Sequence, residues 1–225
     1  MLPWVLLDSA KIPGNEGELR LYQRGAEFSI RIGQYELMNS RMYGSEDALG
    51  MLAAELVGER IGARILIGGL GMGYTLAAVL KGLGRKGGVV MAELVPAVVT
   101  WNRGPLSALA GRPLDDKRVT VVVRDVGNVI GAEAGAYDAI LLDVDNGPAA
   151  LVSKTNDRLY GNRGLQAAFA ALRPHGFLAV WSSNDEPAFT RRLRDAGFEE
   201  ELRRVRARGA AGGSRYVIWL ARRGA

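Results

Sequence analysis

The sequence predicts an α/β protein: a mostly parallel sheet with helices on both faces, a small antiparallel β ribbon before it and an antiparallel hairpin at its C-terminal end. Three observations predict it. Residues 18–38 alternate apolar and polar side chains around glycines. From Arg64 onward, short apolar runs of strand length alternate with helical stretches. The last part of the chain holds two strand-like runs joined by a Gly/Ala-rich turn.

In chain order, "ELRLYQRGAEFSIRIGQYELM" (18–38) turns at Arg24-Gly25 and at Gly33-Gln34, which predicts the ribbon. "SEDALGMLAAELVG" predicts a helix with Ser45 as its N-cap, Glu46 and Asp47 in its first turn and Gly58 at its end. The runs "RILIGG", "GVVMAEL", "RVTVVVRD", "YDAILLD" and "GFLAVWSS" are the strands of a parallel sheet buried on both faces. "EEELRRVRAR" and "RYVIWLARR" form the closing hairpin. The chain divides into a ribbon extension, 1–44, and a nucleoside-binding unit, 45–225, with one hydrophobic core; 225 residues at 48% hydrophobic content suffice for it.

Composition narrows the chemistry. There is no cysteine, which removes disulfides, thiolate catalysis and cysteine-ligated metals. The one histidine, His175 in "LRPHGF", reads as part of a turn between helix and strand, so histidine metal sites and Ser-His relays lack their parts and no metal is expected. The start "MLPWVLL" has no basic leader and is too short for a signal or membrane segment, which predicts a soluble cytoplasmic protein with no membrane partner. Much of the +5 formal charge comes from arginines in 191–225; acids interleave with them and no aromatic ladder accompanies them, so they read as a solvated face rather than a nucleic-acid surface.

In an open parallel sheet, ligands bind beyond the carboxyl ends of the strands, where strand order reverses. The first strand ends in Gly68, Gly69, Gly71 and Gly73; the second in Glu93; the third in Asp125; the fourth in Asp143 and Asp145. The loop "GGLGMGYT" fails the dinucleotide fingerprint, because counting from Gly69 its sixth place is Tyr74. It also fails the Walker pattern, because no Gly-Lys-Ser/Thr follows. Glu93, twenty residues beyond Gly73, stands where a carboxylate accepts from ribose hydroxyls, and Asp125 where one could accept from an adenine amine. Each taken alone is equally a strand-end cap; together they point to a nucleoside. Asp143 and Asp145 would repel a diphosphate and attract a sulfonium with an amine tail, the charge of S-adenosylmethionine or its decarboxylated form.

The ordered set "ILIGGLGMGYTLAAVL", "AELVPAVVTWNR", "RVTVVVRDVG", "YDAILLDVDNGP" and "LYGNRGLQAAFAALRPHGFLAVWSS" resembles the spermidine synthase family of polyamine aminopropyltransferases, over residues 60 to 200. The resemblance implies the class I methyltransferase fold, which is Rossmann-like. It also implies transfer of an aminopropyl group from decarboxylated S-adenosylmethionine to a polyamine such as putrescine, and assembly into dimers or tetramers through the N-terminal region. By position, Glu93 holds the ribose, Asp125 the adenine amine, and Gly69, Gly71 and Gly73 the cofactor. Asp143 is the catalytic carboxylate, Tyr160 matches a tyrosine before the following helix, and Asp145 and Glu46 are candidates for gripping the distal amine. The chain departs from the family where Met72 replaces the loop aspartate and Asn146 the second aspartate after the strand, and where "LMNSRMYGSEDAL" replaces an acidic and His-Glu stretch. Two alternatives stand beside it: a small-molecule methyltransferase using S-adenosylmethionine, and a nucleoside-binding relative without catalysis. "DNGP" lacks the second proline and the aromatic ring of base-methylating enzymes.

Overall fold

Strands that bury both faces must be covered on both, and the computed structural model, which describes residues 2–14, 16–144, 156–206 and 212–225, does this with a seven-stranded sheet. Its strands are β5 (Arg64–Gly68), β6 (Gly88–Glu93), β7 (Val119–Val123), β8 (Tyr137–Leu142), β9 (Leu172–Ser182), β10 (Glu199–Arg206) and β11 (Arg215–Arg222), in the order β10-β11-β9-β8-β5-β6-β7. β5 to β9 run parallel, and β11 is antiparallel to both of its neighbours, as the closing hairpin requires. Strand order reverses at β5, between β6 and β8, so the ligand crevice expected of such sheets opens there.

The predicted ribbon is present with a fourth strand. β1 (Val5–Lys11), β2 (Glu18–Arg24), β3 (Glu27–Ile32) and β4 (Tyr35–Asn39) form an antiparallel sheet in sequential order. Gly25 (φ 60°) and Gly33 (φ 55°) make its two tight turns. Leu19 and Leu21 of β2, with Phe28 and Ile30 of β3, enter the same hydrophobic core as the main sheet.

Between and around the strands run α1 (Gly44–Val57), α2 (Tyr74–Gly82), α3 (Pro96–Arg103), α4 (Val126–Ile130), α5 (Asn156–Tyr160), α6 (Asn162–Ala171) and α7 (Pro187–Asp195). Proline opens α3 and α7, where its missing N–H goes unneeded. Ser45 does not cap α1. The helix has already begun at Gly44, Tyr43 holds the cap position without a side-chain bond, and the Ser45 hydroxyl donates to Glu46 Oε2 at 2.6 Å. The end at Gly58 is as expected, with φ 60°.

β9 starts earlier than the run "GFLAVWSS". Its pairing with β8 shifts register between Tyr137, opposite Leu172, and Ala139, opposite Phe177. The predicted Arg-Pro-His-Gly turn is thus a bulge inside the strand; His175 sits at φ 62° and is exposed.

Alternation along the strands divides the core into two layers. Ile65, Ile67, Met91, Ala139, Leu141, Phe177 and Ala179 face one layer, together with α1, α2, α3 and the N-terminal sheet. Leu66, Val90, Ile140, Leu142, Leu178 and Val180 face the other. Below the sheet, buried Asp138 takes Arg60 Nη1 and Arg173 Nη1 at 2.6 Å each and the Arg64 backbone N–H at 2.8 Å, so its charge is fully partnered. Among the C-terminal arginines, Arg203 pairs with Glu201, Arg204 with Asp185 and Arg194 with Glu200, as on a solvated face. Among the described residues, no helix is long and apolar enough to cross a membrane.

Candidate active site

Side chains two apart on a strand share a face, and this rule collects the site. Glu93 follows Met91 on β6, Asp143 follows Leu141 at the end of β8, and Trp181 follows Ala179 on β9, so all three point into the layer that holds α1, α2 and the N-terminal sheet. β8 and β9 pair Leu142 with Val180, which places Asp143 beside Trp181 on the next rung. These residues line a cavity of about 210 Å³ roofed by Ile12, Leu19, Ile30, Leu37 and Met38 of the N-terminal region.

The glycine loop forms its floor. Gly69, Gly71 and Gly73 all hold left-handed backbone, at φ 90°, 51° and 85°. A Cβ on Gly69 would lie 2.2 Å from the Asp143 carbonyl oxygen, so only glycine lets the loop cross the end of β8; one on Gly71 would lie 2.8 Å from Met38 Sδ. Asn102, buried in α3, buttresses the loop by donating through Nδ2 to the Gly71 carbonyl at 2.8 Å.

Glu93 is buried and braces the loop: Oε2 accepts from the Leu70 N–H at 2.9 Å and Oε1 from the Val95 N–H at 2.8 Å. It still lines the cavity, and each carboxylate oxygen has a second lone pair. Asp125 caps α4 by accepting from the Asn128 N–H at 3.1 Å, and it too lines the cavity. For both residues the structural role foreseen for a strand-end carboxylate coexists with a place in the cavity wall.

Asp143 is half-buried, and its Oδ2 accepts from the Thr75 hydroxyl at 2.6 Å. Burial pushes its carboxyl up to about 6, against the lowering effect of that bond. Glu46, from the first turn of α1, faces the same space. Burial first and the neighbouring Asp143 charge second push its carboxyl up to about 7. Two interacting carboxylates in one cavity can hold a proton between them near neutral pH and attract cations strongly. Thr75, Trp181 and Asn102 were not foreseen as site residues. Thr75 and Asn102 do lie within "GGLGMGYT" and "AELVPAVVTWNR", whereas Trp181 had no signal beyond its place near a strand end.

Tyr160 does not join this group. It belongs to the opposite core layer, edge-on to Phe189 with ring centroids 5.7 Å apart, with its hydroxyl 3.5 Å from the Val144 carbonyl. Met72, in place of the family's loop aspartate, is fully buried and lines the cavity. Asp145 and Asn146 lie outside the described residues. Among the described residues no cluster of three or more histidines and carboxylates could hold a metal ion, and no lysine, arginine or histidine lines the cavity.

No protein-family model matches this chain, and no curated protein resembles it in sequence. Solved structures do resemble it. The chain superposes on a spermidine synthase in complex with the transition-state analogue AdoDATO with a TM-score of 0.73 and 15% identity, covering 97% of this chain and 72% of the other. The spermidine synthase from Thermotoga maritima gives a TM-score of 0.75 and 16% identity, covering 97% and 73%. A probable spermidine synthase from Corynebacterium glutamicum ATCC 13032 gives 0.65 and 13%, covering 99% and 81%. The chain has the spermidine synthase fold, with its N-terminal antiparallel sheet and class I methyltransferase-like main sheet.

Proposed function

We propose that this chain is an aminopropyltransferase that moves the aminopropyl group of decarboxylated S-adenosylmethionine to an amine. The observation that carries the reading is the Asp143–Glu46 pair: two desolvated carboxylates beside a glycine loop, in a cavity whose described walls hold no cationic side chain. Such a wall suits a nucleoside with a sulfonium and an ammonium tail. S-adenosylmethionine itself would bring a carboxylate that no described cation meets, which favours the decarboxylated donor over the methyltransferase reading. On this reading residues 45–225 are the catalytic unit and residues 1–44 its roof. The exposed apolar Val5, Leu6 and Leu7 on edge strand β1 support a homo-oligomer.

The donor supplies an activated carbon next to its sulfonium. In the chain, Glu93 and Asp125 are set to accept from ribose and adenine, and Gly69 and Gly71 allow close backbone approach. Glu46 is available to the donor's ammonium. Asp143 holds the attacking amine and accepts its proton. An amine's ordinary pKa, about 10, leaves it protonated and non-nucleophilic at neutral pH, and a carboxyl lifted by burial is a better proton acceptor than an exposed aspartate. Thr75 orients Asp143 through its 2.6 Å bond.

The test is calorimetry with decarboxylated S-adenosylmethionine, S-adenosylmethionine and methylthioadenosine in parallel, followed by product analysis with an amine. Tighter binding of the decarboxylated donor with release of methylthioadenosine supports the proposal. Release of S-adenosylhomocysteine from S-adenosylmethionine would replace it with methyl transfer, and binding without either product would replace it with a nucleoside binder.

A further inference from the structure

A side chain on a helix reaches into a cavity only as far as its helix can approach, so the spacing of packed helices fixes which groups meet. Glu46 enters the cavity from the first turn of α1, and α1 lies against α2, whose first turn carries Thr75. Glu46, Gly50 and Ala54 recur at four-residue spacing and share one face of α1. That face is the seam with α2. A Cβ on Gly50 would lie 2.5 Å from the Thr75 carbonyl oxygen and 2.6 Å from Ala78 Cβ, and one on Gly82 of α2 would lie 2.7 Å from Ala54 Cβ. At the N-terminal ends of both helices, the Tyr43 and Tyr74 rings stack with centroids 4.2 Å apart and planes 10° from parallel. The Thr75 hydroxyl, which donates to Asp143, also lies 3.4 Å from the Glu46 carbonyl oxygen.

These contacts leave α1 no room to close further on α2, and the carboxylate of Glu46 sits one turn before the tightest of them. The Thr75 carbonyl and Ala78 Cβ belong to the body of α2 and cannot swing aside. A methyl at position 50 must therefore part the helices by about 1 Å before its contacts reach ordinary van der Waals distance. A charge-assisted hydrogen bond spans only about 2.7–2.9 Å, so a displacement of that size takes a carboxylate out of reach of a bound ammonium. We propose, resting on the aminopropyl-transfer reading, that Gly50 is a specificity-determining positioning residue: the close approach it allows between α1 and α2 sets the reach of Glu46, and with it the preference for a nucleoside that carries an ammonium tail. Asp143 is positioned separately, by the end of β8 and the Thr75 hydroxyl. Recognition of the tail therefore depends on the helix seam, whereas recognition of the nucleoside body depends on the strand ends.

The experiment is calorimetry of the native chain, Gly50→Ala and Glu46→Asp with decarboxylated S-adenosylmethionine, which has the ammonium tail, and methylthioadenosine, which lacks it. In Gly50→Ala the better helix propensity of alanine offsets part of the overpacking. Its affinity for the decarboxylated donor is expected to fall by about tenfold or more, while its affinity for methylthioadenosine stays within about twofold of native. Retention of the native affinity ratio would overturn the proposal, and so would an equal loss of both ligands, which would mark a general disturbance of the cavity. Glu46→Asp withdraws the carboxylate by one methylene with the seam intact, and the same selective loss is expected. A native ratio in that variant would show that reach does not set the preference, and this result decides the matter if Gly50→Ala does not fold. A native chain that binds the decarboxylated donor no better than methylthioadenosine removes the aminopropyl-transfer reading and the proposal together, whereas a native preference that survives in the variants removes the proposal alone.

Discussion

Asp143→Asn separates chemistry from architecture because the two roles predict opposite changes in stability. Asparagine keeps an oxygen to accept the Thr75 hydroxyl, bonded to Asp143 at 2.6 Å, but loses the charge and the capacity to take a proton. In the native protein the Asp143 carboxyl is raised by burial from 3.8 to about 6. The folded state therefore binds the proton more tightly than the unfolded chain does. This contribution to stability is fully present below about pH 4 and is lost as the pH rises through about 6. A shift of that size corresponds to about 3 kcal/mol at 1.4 kcal/mol per unit, which we reduce to about 2 kcal/mol for partial exposure. For a chain of this length that is about 4–8 °C in Tm. The variant is expected to melt several degrees above the native protein at pH 8, with the difference closing toward pH 4. Its methylthioadenosine release should fall by at least about a hundredfold, while affinity for the nucleoside changes little. The assays are thermal melts across pH 4–8, initial rates with an amine acceptor, and calorimetry with methylthioadenosine. Normal turnover would remove Asp143 as the proton acceptor. A variant that melts lower at pH 8 would show that the carboxylate holds the end of β8, and the argument from desolvation would fall.

Other expectations follow from neighbouring contacts. Glu93→Ala frees two backbone N–H groups of the loops at Leu70 and Val95, so nucleoside affinity should drop by about 1.5–3 kcal/mol in calorimetry; unchanged affinity in a folded variant would remove Glu93 from the site. Gly69→Ala places a methyl 2.2 Å from the Asp143 carbonyl in a left-handed backbone, and should lower stability by about 3 kcal/mol or more, read as a fall in the denaturant midpoint. Asp138→Asn leaves Arg60 and Arg173 without their shared carboxylate far from the cavity; it should cost about 2 kcal/mol in denaturant unfolding while leaving nucleoside affinity unchanged.

The main sheet was legible in the sequence because its strands bury both faces: "RILIG" and "YDAILL" read as unbroken apolar runs, and the residues that end them, Gly69, Glu93, Asp125 and Asp143, necessarily stand at the carboxyl edge. The turn glycines of the ribbon were legible for the same local reason, a backbone sign that few other residues adopt. β1 was not, because its side chains are almost all exposed and "VLLDSAK" carries no alternation; its pairing with β2 makes it a strand. Ser45 shows the limit of cap signals, since its hydroxyl found the Glu46 carboxylate instead of the helix amides.

What the sequence could not determine is which distant side chains meet. Glu46 and Asp143 face one cavity only because α1 packs over the end of β8, and the acidity of each depends on that burial. Trp181 is a cavity residue only because β9 pairs with β8 in the register that sets it beside Asp143. Tyr160 carries the right letter at the expected place, yet side-chain direction sends it to the other core layer. Strand order and register are set by the packing of whole layers, which no local window contains. A chain position can therefore name the carboxylates of this site, but only the assembled sheet decides which of them face one cavity.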